Sequence, residues 1–229
     1  MTTAPLVSVL ITAYNAGDYL AEGIESALAQ RGRIEIVLVD DGSTDGTSEV
    51  AARYPAVRVT TQERHGIGAA RNVAVSMATG EFLTFLDADD RFPPGKLDAQ
   101  LRAFEADPSL EVVYGHVREF VSSDVSAEQA ARIRPPVDYH VSHLSGVMLI
   151  RRSAFDKVGA WKVGLKVGTG VEWYTRSCEQ NLKTAILPDV LLERRLHLSN
   201  NGLQQADHRL QYAAIVKAAL DRRRLQGSG

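Results

Sequence analysis

The chain has 229 residues, 45% of them hydrophobic, which is enough for one large α/β domain and excludes a disordered or fibrous protein. Its 26 basic and 28 acidic side chains leave a formal net charge of −2, so nothing favours nucleic acid as a partner and any phosphate must be held locally. The single cysteine, Cys178, excludes an internal disulfide and reads as a small buried apolar group, and neither a signal peptide nor an apolar run near ~20 residues is visible, so a soluble cytoplasmic protein is expected.

Leu6 to Thr12 is an apolar, β-branched run followed by Asn15-Ala16-Gly17, which suits a strand buried on both faces. Leu20, Ile24, Ala27 and Leu28 then recur at helical spacing behind a candidate N-cap, Asp18. The pattern repeats as a strand over 34–39, a turn at Asp41-Gly42-Ser43 and a helix over 44–54. A third unit has a strand over 57–61, a loop through Gly66 and a helix from Ile67 to Ala78. Gly80 stops that helix, and 81–86 is a fourth strand running into Asp87-Ala88-Asp89-Asp90. Successive strand-helix-strand passages imply right-handed crossovers and a parallel sheet, whose ligands bind outside the strand carboxyl ends. Three polar clusters should therefore meet in one crevice.

The second half is less regular. A helix is expected over 97–104, a strand over 111–117, and a polar stretch over 122–136. A buried strand over 146–151, a short helix over 153–158, a helix over 172–181, a strand pair over 184–196 and a closing helix over 205–224 complete the chain. That closing helix carries Leu210, Ala214, Lys217 and Ala218 near one face and ends in Arg222-Arg223-Arg224, cations that suit a helix C-terminus. It is poor in large apolar residues for a membrane surface. No linker cuts the chain, so a single domain over 1–229 is expected.

At the strand ends, side chains two apart share a side, so Asp87 and Asp89 can present carboxylates together while Ala88 and Asp90 point away. That arrangement suits a hard divalent cation bridging carboxylates and a diphosphate; the alternative is a simple acidic helix start. Asp40 and Asp41 point in opposite directions, so one should face the crevice and could accept from a base imide, while turn chemistry alone would also explain the pair. In Gly66-Ile67-Gly68-Ala69-Ala70-Arg71-Asn72 the small residues allow close backbone approach, and Arg71 could meet a phosphate or a base. The glycines could equally serve helix-sheet packing. His197 precedes a turn, where a histidine is often just a surface residue.

The assembly Val9 to Asn15, Val37 to Asp45, Gly66 with Ala70-Arg71-Asn72, and Phe85 to Asp90 resembles the family 2 glycosyltransferases of the GT-A fold, with four motifs in order over about the first 95 residues. The resemblance implies a Rossmann-like, mostly parallel sheet flanked by helices, a nucleotide-sugar half over 1–95 and an acceptor half over 96–229. By that likeness Thr12, Ala13 and Tyr14 line the nucleoside pocket, and Asp40 holds the base with Asp41 nearby. Gly66 and Arg71 lie beside base or diphosphate, and Asp87 with Ala88 approaches ribose and donor sugar. Asp89 binds Mg²⁺ or Mn²⁺. Looser likeness over 146–155 and at Arg195-Leu196-His197 implies that His197 completes the metal shell.

The family also implies a Glu-Asp pair opening a helix, the Asp acting as base; here Thr169 and Gly170 stand at those positions. Glu172 is the nearest carboxylate. If Gly168 to Glu172 is extended, Glu172 can reach the acceptor; if the helix has already begun, a two-residue step turns it about 200° away. The expected activity is thus an inverting, metal-dependent transfer from a nucleotide-sugar, a UDP-sugar, to a sugar, peptide, lipid-linked or small-molecule acceptor. Alternatives are a sugar-nucleotide-binding protein without a base and a nucleotidyltransferase, the latter disfavoured by the lack of a basic, glycine-rich triphosphate loop after the first strand.

Overall fold

The computed structural model describes residues 5–131, 133, 138–198 and 209–226. Eight strands form one sheet ordered β3-β2-β1-β4-β7-β5-β6, with β8 laid along β5. β1 (Leu6–Ala13), β2 (Arg33–Asp40), β3 (Val57–Thr61) and β4 (Phe82–Asp87) run parallel. Helices α1 (Leu20–Leu28), α2 (Thr47–Ala51) and α3 (Ile67–Met77) connect them. Because crossovers cover both faces, the central strands are continuously apolar: Val9, Leu10, Ile11, Val37, Leu38 and Leu86 are all fully buried.

α2 is shorter than the helix expected over 44–54. The carboxylate of Asp45 accepts from the Thr47 backbone and hydroxyl, and Asp40 accepts from Ser43, so these residues form a turn instead of a first helical turn.

The second half is built onto the same sheet. α4 (Lys96–Ala106) leads into β5 (Val112–Val121), followed by α5 (Ala127–Ala130), β6 (His140–Ser142), a 3₁₀ turn (Ser145–Val147) and β7 (Leu149–Arg151). The strand expected over 146–151 is thus half turn and half strand, and β6 has no counterpart in the sequence reading. β7 is antiparallel to both β4 and β5 and joins the two halves. α6 (Arg152–Val158) and α7 (Thr169–Glu179) follow. The strand pair expected over 184–196 is one long strand, β8 (Thr184–Leu196), parallel to β5. Its register shifts where Tyr114 pairs Ile186 but His116 pairs Val190, and Pro188, which has no N–H to give, lies in that irregularity. α8 (Arg209–Gln226) closes the chain; the 205–208 part of the expected helix and residues 132 and 134–136 of the polar stretch lie outside the described residues.

One apolar core spans both halves, with Phe85, Phe155, Trp161 and Trp173 in mutual ring contact. Cys178 is exposed on α7, against the expectation of burial. Its neighbour Ser177 faces inward, and one residue turns a helical position by about 100°. Among the described residues no helix is long and apolar enough to cross a membrane.

Lys96 lies buried between α4 and β4, and its partner Gln100 reaches β5 and the 3₁₀ turn. Its Nζ is 2.7 Å from Gln100 Oε1, 3.3 Å from Thr84 Oγ1 and 4.6 Å from the Phe92 ring centroid. Gln100 in turn donates to the carbonyls of Val113 and Val147. Burial drives the Lys96 pKa well below its ordinary value. A lysine whose folded pKa is depressed contributes fully only above its unfolded value, and that stability is lost as pH falls toward the folded one. The wild-type chain should therefore gain urea resistance relative to Lys96→Met between about pH 7 and 10. Parallel pH profiles for the two proteins would contradict this.

Candidate functional site

The strand register places the polar clusters side by side. Thr12 pairs with Asp87 and Ala13 with Asp40, so the carboxyl ends of β1, β2 and β4 are level. The loops beyond are sewn together. Asp41 N donates to Ala13 O, Asn15 N to Ser43 Oγ, Thr44 N to Asn15 Oδ1 and Ala16 N to Thr47 Oγ1, all between 2.8 and 2.9 Å. Asn15 takes a positive φ of 47°, which asparagine tolerates. Tyr14 projects outward with its ring 3.7 Å from the Arg64 guanidinium, which also donates to its hydroxyl.

Asp40 is fully buried, and its carboxylate accepts from Ser43 N, Ser43 Oγ and Ser48 Oγ. Three of its roughly four acceptor positions thus serve the β2–α2 turn. Asp41 points the other way, as adjacent strand-end residues should. It accepts from Gln62 Nε2, His65 N and Gly66 N, and so fixes the loop that carries Arg64 and opens α3.

On α3, Arg71 is 4% exposed and donates from Nη2 to Asp87 Oδ1 at 2.7 Å. Its guanidinium lies 4.8 Å from the Trp161 ring centroid. Asn72 grips the backbone of Trp161 through both N–H and carbonyl, and a Cβ on Gly68 would come within 2.4 Å of the Lys162 carbonyl. Gly68 therefore serves close packing of α3 on the segment before α7. Three buried polar atoms around this junction, Arg71 Nε, Trp161 Nε1 and Thr169 Oγ1, have no hydrogen-bond partner among the described residues.

The Asp87–Asp90 turn meets the end of β8. His197 Nε2 is 2.9 Å from Asp89 Oδ2 across 108 residues of chain, and its ring packs 4.6 Å from that of Tyr19. Arg195 makes this possible. Its backbone N–H donates to Asp90 Oδ1, and its guanidinium reaches the Asp89 carbonyl, Ser122 Oγ and Glu22 Oε2. Burial pushes the Glu22 carboxyl up, and the hydrogen bonds and charges of Arg195 and Arg91 outweigh it to hold the pKa below the usual range. Asp90 is directed inward, away from Asp89, and burial with the adjacent Asp89 and Asp87 charges drives its pKa well up. Gly23 admits α1 here, since a Cβ would lie 3.2 Å from the Asp90 carbonyl and 3.4 Å from that of Ala88. The Tyr19 hydroxyl, pushed up to about 12 by burial and by its bond to Asp124, closes the rear of the site. Among the described residues no three His, Cys, Asp or Glu side chains converge as a metal group. One carboxylate and one imidazole nevertheless fit a divalent cation that draws its other oxygens from phosphate and water.

The sequence reading missed Arg195, Tyr19, Glu22 and Arg64. Arg195 was findable, since two residues along a strand it shares His197's side; nothing marked the other three.

Glu172 lies elsewhere in its geometry. Gly168 is left-handed and α7 begins at Thr169, so the extended lead-in that would have aimed Glu172 at an acceptor is absent. Its two carboxylate oxygens fork onto Arg176 Nε and Nη2, both at 3.0 Å, and Arg176 also caps the carbonyls of Val158 and Ala160. The extended geometry on which a base role for Glu172 depends is thus replaced by a partly buried ion pair.

The level acidic strand ends, the crossover helices and the mixed eight-stranded sheet define a GT-A fold. The Glycosyl transferase family 2 model matches residues 8–165, and the chain belongs to that family. It is 29% identical over 233 residues to a chondroitin synthase of Pasteurella multocida strain Pm70, an alignment covering 96% of this chain and 24% of that protein. The chain thus spans about a quarter of that relative's length. S. aureus TarS 1-349 in complex with UDP-GlcNAc superposes with a TM-score of 0.69 at 20% identity, covering 87% of this chain and 61% of that one. The mannosyltransferase PcManGT from Pyrobaculum calidifontis, in complex with GDP-Man and Mn²⁺, does so with a TM-score of 0.64 at 19% identity, covering 89% and 60%.

Glu172→Gln should lower the melting temperature by a few degrees, because removing one partner of a buried pair strands the other. Nucleotide affinity should be unchanged. An unaltered melting temperature with turnover reduced about a hundredfold would restore Glu172 as a base.

Proposed function

We propose that the chain is a glycosyltransferase that moves a sugar from a nucleotide-sugar, a UDP-sugar, to an acceptor hydroxyl with inversion and with a divalent cation. The observation that carries this is the meeting of Asp89 and His197 beside the Arg71–Asp87 pair at the carboxyl edge of the sheet. In this reading Thr12, Ala13 and Tyr14 line the nucleoside, and the Asp40-Asp41 pair stands at the base. Asp40 holds the turn that positions Asp41. Arg71 orients Asp87 toward ribose and donor sugar, with the backbone at Gly66 and Ala88 close to the ligand. Asp89 and His197 would hold Mg²⁺ or Mn²⁺, which when bound offsets charge on a departing nucleoside diphosphate. The complexes of TarS with UDP-GlcNAc and of PcManGT with GDP-Man and Mn²⁺ support a nucleotide-sugar and a cation. They differ in base, so uridine rests on a carboxylate of the Asp40-Asp41 pair and an imide N–H.

A second reading has a specific basis. With Thr169 and Gly170 at the head of α7 and Glu172 paired to Arg176, no carboxylate at that helix start is aimed as a base, which favours donor binding without transfer. Release of UDP from a panel of UDP-sugars with Mn²⁺, with and without sugar acceptors, separates the two. Acceptor-dependent release supports transfer, whereas binding without release supports the alternative.

Calorimetry with UDP and Mn²⁺ should show at least about a tenfold loss of affinity for Asp89→Asn and little change for Asp90→Asn, since only Asp89 faces the crevice. Equal losses would remove Asp89 from the cation site. With Mn²⁺ present, GDP should bind at least about tenfold more weakly than UDP, because a site built around one base edge leaves polar groups unpaired with the other. Comparable affinities would overturn the uridine assignment.

A further inference from the structure

Arg64 stands on a loop whose backbone is fixed although its side chain is exposed. Gln62 N donates to Asp40 O at 2.9 Å, and Asp41 accepts from Gln62 Nε2, His65 N and Gly66 N, so hydrogen bonds hold the chain on both sides of Arg64. Gly42, at a φ of 77°, lets the turn after β2 lie against the same segment: a Cβ there would come within 3.0 Å of Arg64 N. The facing residue, Tyr14, is held as well, because Asn15 beside it accepts from Thr44 N and donates to Ser43 Oγ. Two anchored backbones thus present two exposed side chains to each other.

Their contact has the spacing of stacked planar groups. The central carbon of the Arg64 guanidinium lies 3.7 Å from the centre of the Tyr14 ring, and Nη1 donates to the Tyr14 hydroxyl at 2.7 Å. Tyr14 follows Ala13, whose strand partner is Asp40, and the Arg64 loop is bonded to Asp41, so the stack lies beside the carboxylate pair. An aromatic face next to a hydrogen-bonding carboxylate offers a nucleobase both a surface for its plane and an acceptor for its imide. Arg64 covers that face. Among the described residues the guanidinium uses one of its five N–H donors, and a cation over an exposed ring is a weak contact that a base can displace.

We propose that Arg64 closes over the outer face of the base when a nucleoside diphosphate binds. This rests on the reading above, in which Tyr14 lines the nucleoside. The guanidinium lifts from Tyr14, the base takes its place on the ring, and the planar guanidinium then stacks on the base from the other side. The displacement is one ring thickness, about 3.5 Å, which the jointed arginine stem spans while Asp41 and Gly42 keep the loop in place. Arg64 thereby adds affinity for the base as a plane, and the choice between bases stays with the carboxylate pair. The diphosphate is a poorer partner, since the Arg64 loop is tied to the end of β2 whereas the Asp89–His197 pair lies beyond β4, on the other side of β1.

The test uses ligands that are parts of UDP. Binding of uridine is followed by ligand-observed NMR, and binding of UDP and of inorganic pyrophosphate, both with Mn²⁺, by calorimetry, for the wild-type chain, Arg64→Ala and Arg64→Lys. Arg64→Ala should weaken uridine and UDP by a similar factor, about tenfold, and leave pyrophosphate and the melting temperature unchanged, since the side chain is exposed. Arg64→Lys should not restore uridine binding, because an ammonium keeps the charge without the plane. Uridine affinity that is unchanged or raised in Arg64→Ala, a loss confined to UDP and pyrophosphate, or full rescue by Arg64→Lys would each overturn the proposal. A wild-type chain that binds neither uridine nor UDP would remove the nucleotide reading together with it, whereas wild-type uridine binding that Arg64→Ala leaves intact removes the role of Arg64 alone.

Discussion

The grip of Arg195 on the Asp87–Asp90 turn is the constraint on which the candidate site depends. Asp90, a buried carboxylate, accepts the Arg195 backbone N–H, while the Arg195 guanidinium binds the Asp89 carbonyl, Ser122 and Glu22. Hydrogen bonds to charged groups contribute about 1.5–3 kcal/mol each, which offsets part of the cost of burying these groups. A two-residue step along the extended chain then delivers His197 to Asp89. The ladder between Arg91 and Glu193, made in both directions, holds the same two segments one step further back. The second half of the chain thus completes a site whose other elements belong to the first.

The strand ends of the first half are preorganised by a different device. Parallel pairing levels three strand ends, and each loop after them is tied to its neighbour through a side chain: Asp40 to Ser43 and Ser48, Asp45 to Thr47, and Asp41 to the residues around Gly66. Carboxylates that accept backbone N–H groups fix loop shape without needing regular structure. The Arg71–Asp87 pair then couples α3 to β4, and Trp161 backs the guanidinium. Acidic residues so placed serve partly as scaffold, which is why Asp40 and Asp41, adjacent in sequence, have unlike surroundings.

Much of the first half was legible because buried parallel strands announce themselves as unbroken apolar runs, and β3 and α3 begin where the pattern places them. The convergence of strand ends followed from topology alone. What escaped the sequence depended on distant partners. The length of β8 follows from pairing with β5, not from its own alternation, and the start of α7 is set by Gly168 taking a left-handed conformation against Ile215 and Tyr212. That one helix boundary changed the meaning of Glu172, since the step from extended to helical turns the side chain away and toward Arg176. Asp40 and Asp41 could be read as an opposed pair, but which of them the turn would claim rested on Ser48, eight residues on.

Asp89 and His197 are proposed as the protein's share of a cation site at the strand edge. Crystals grown with UDP and Mn²⁺, measured at the manganese absorption edge, locate that ion directly. An anomalous peak is expected within about 2.0–2.3 Å of an Asp89 carboxylate oxygen and of a His197 ring nitrogen, with the other ligands from diphosphate and water. A peak held by other side chains, with the Asp89–His197 hydrogen bond intact, would contradict it.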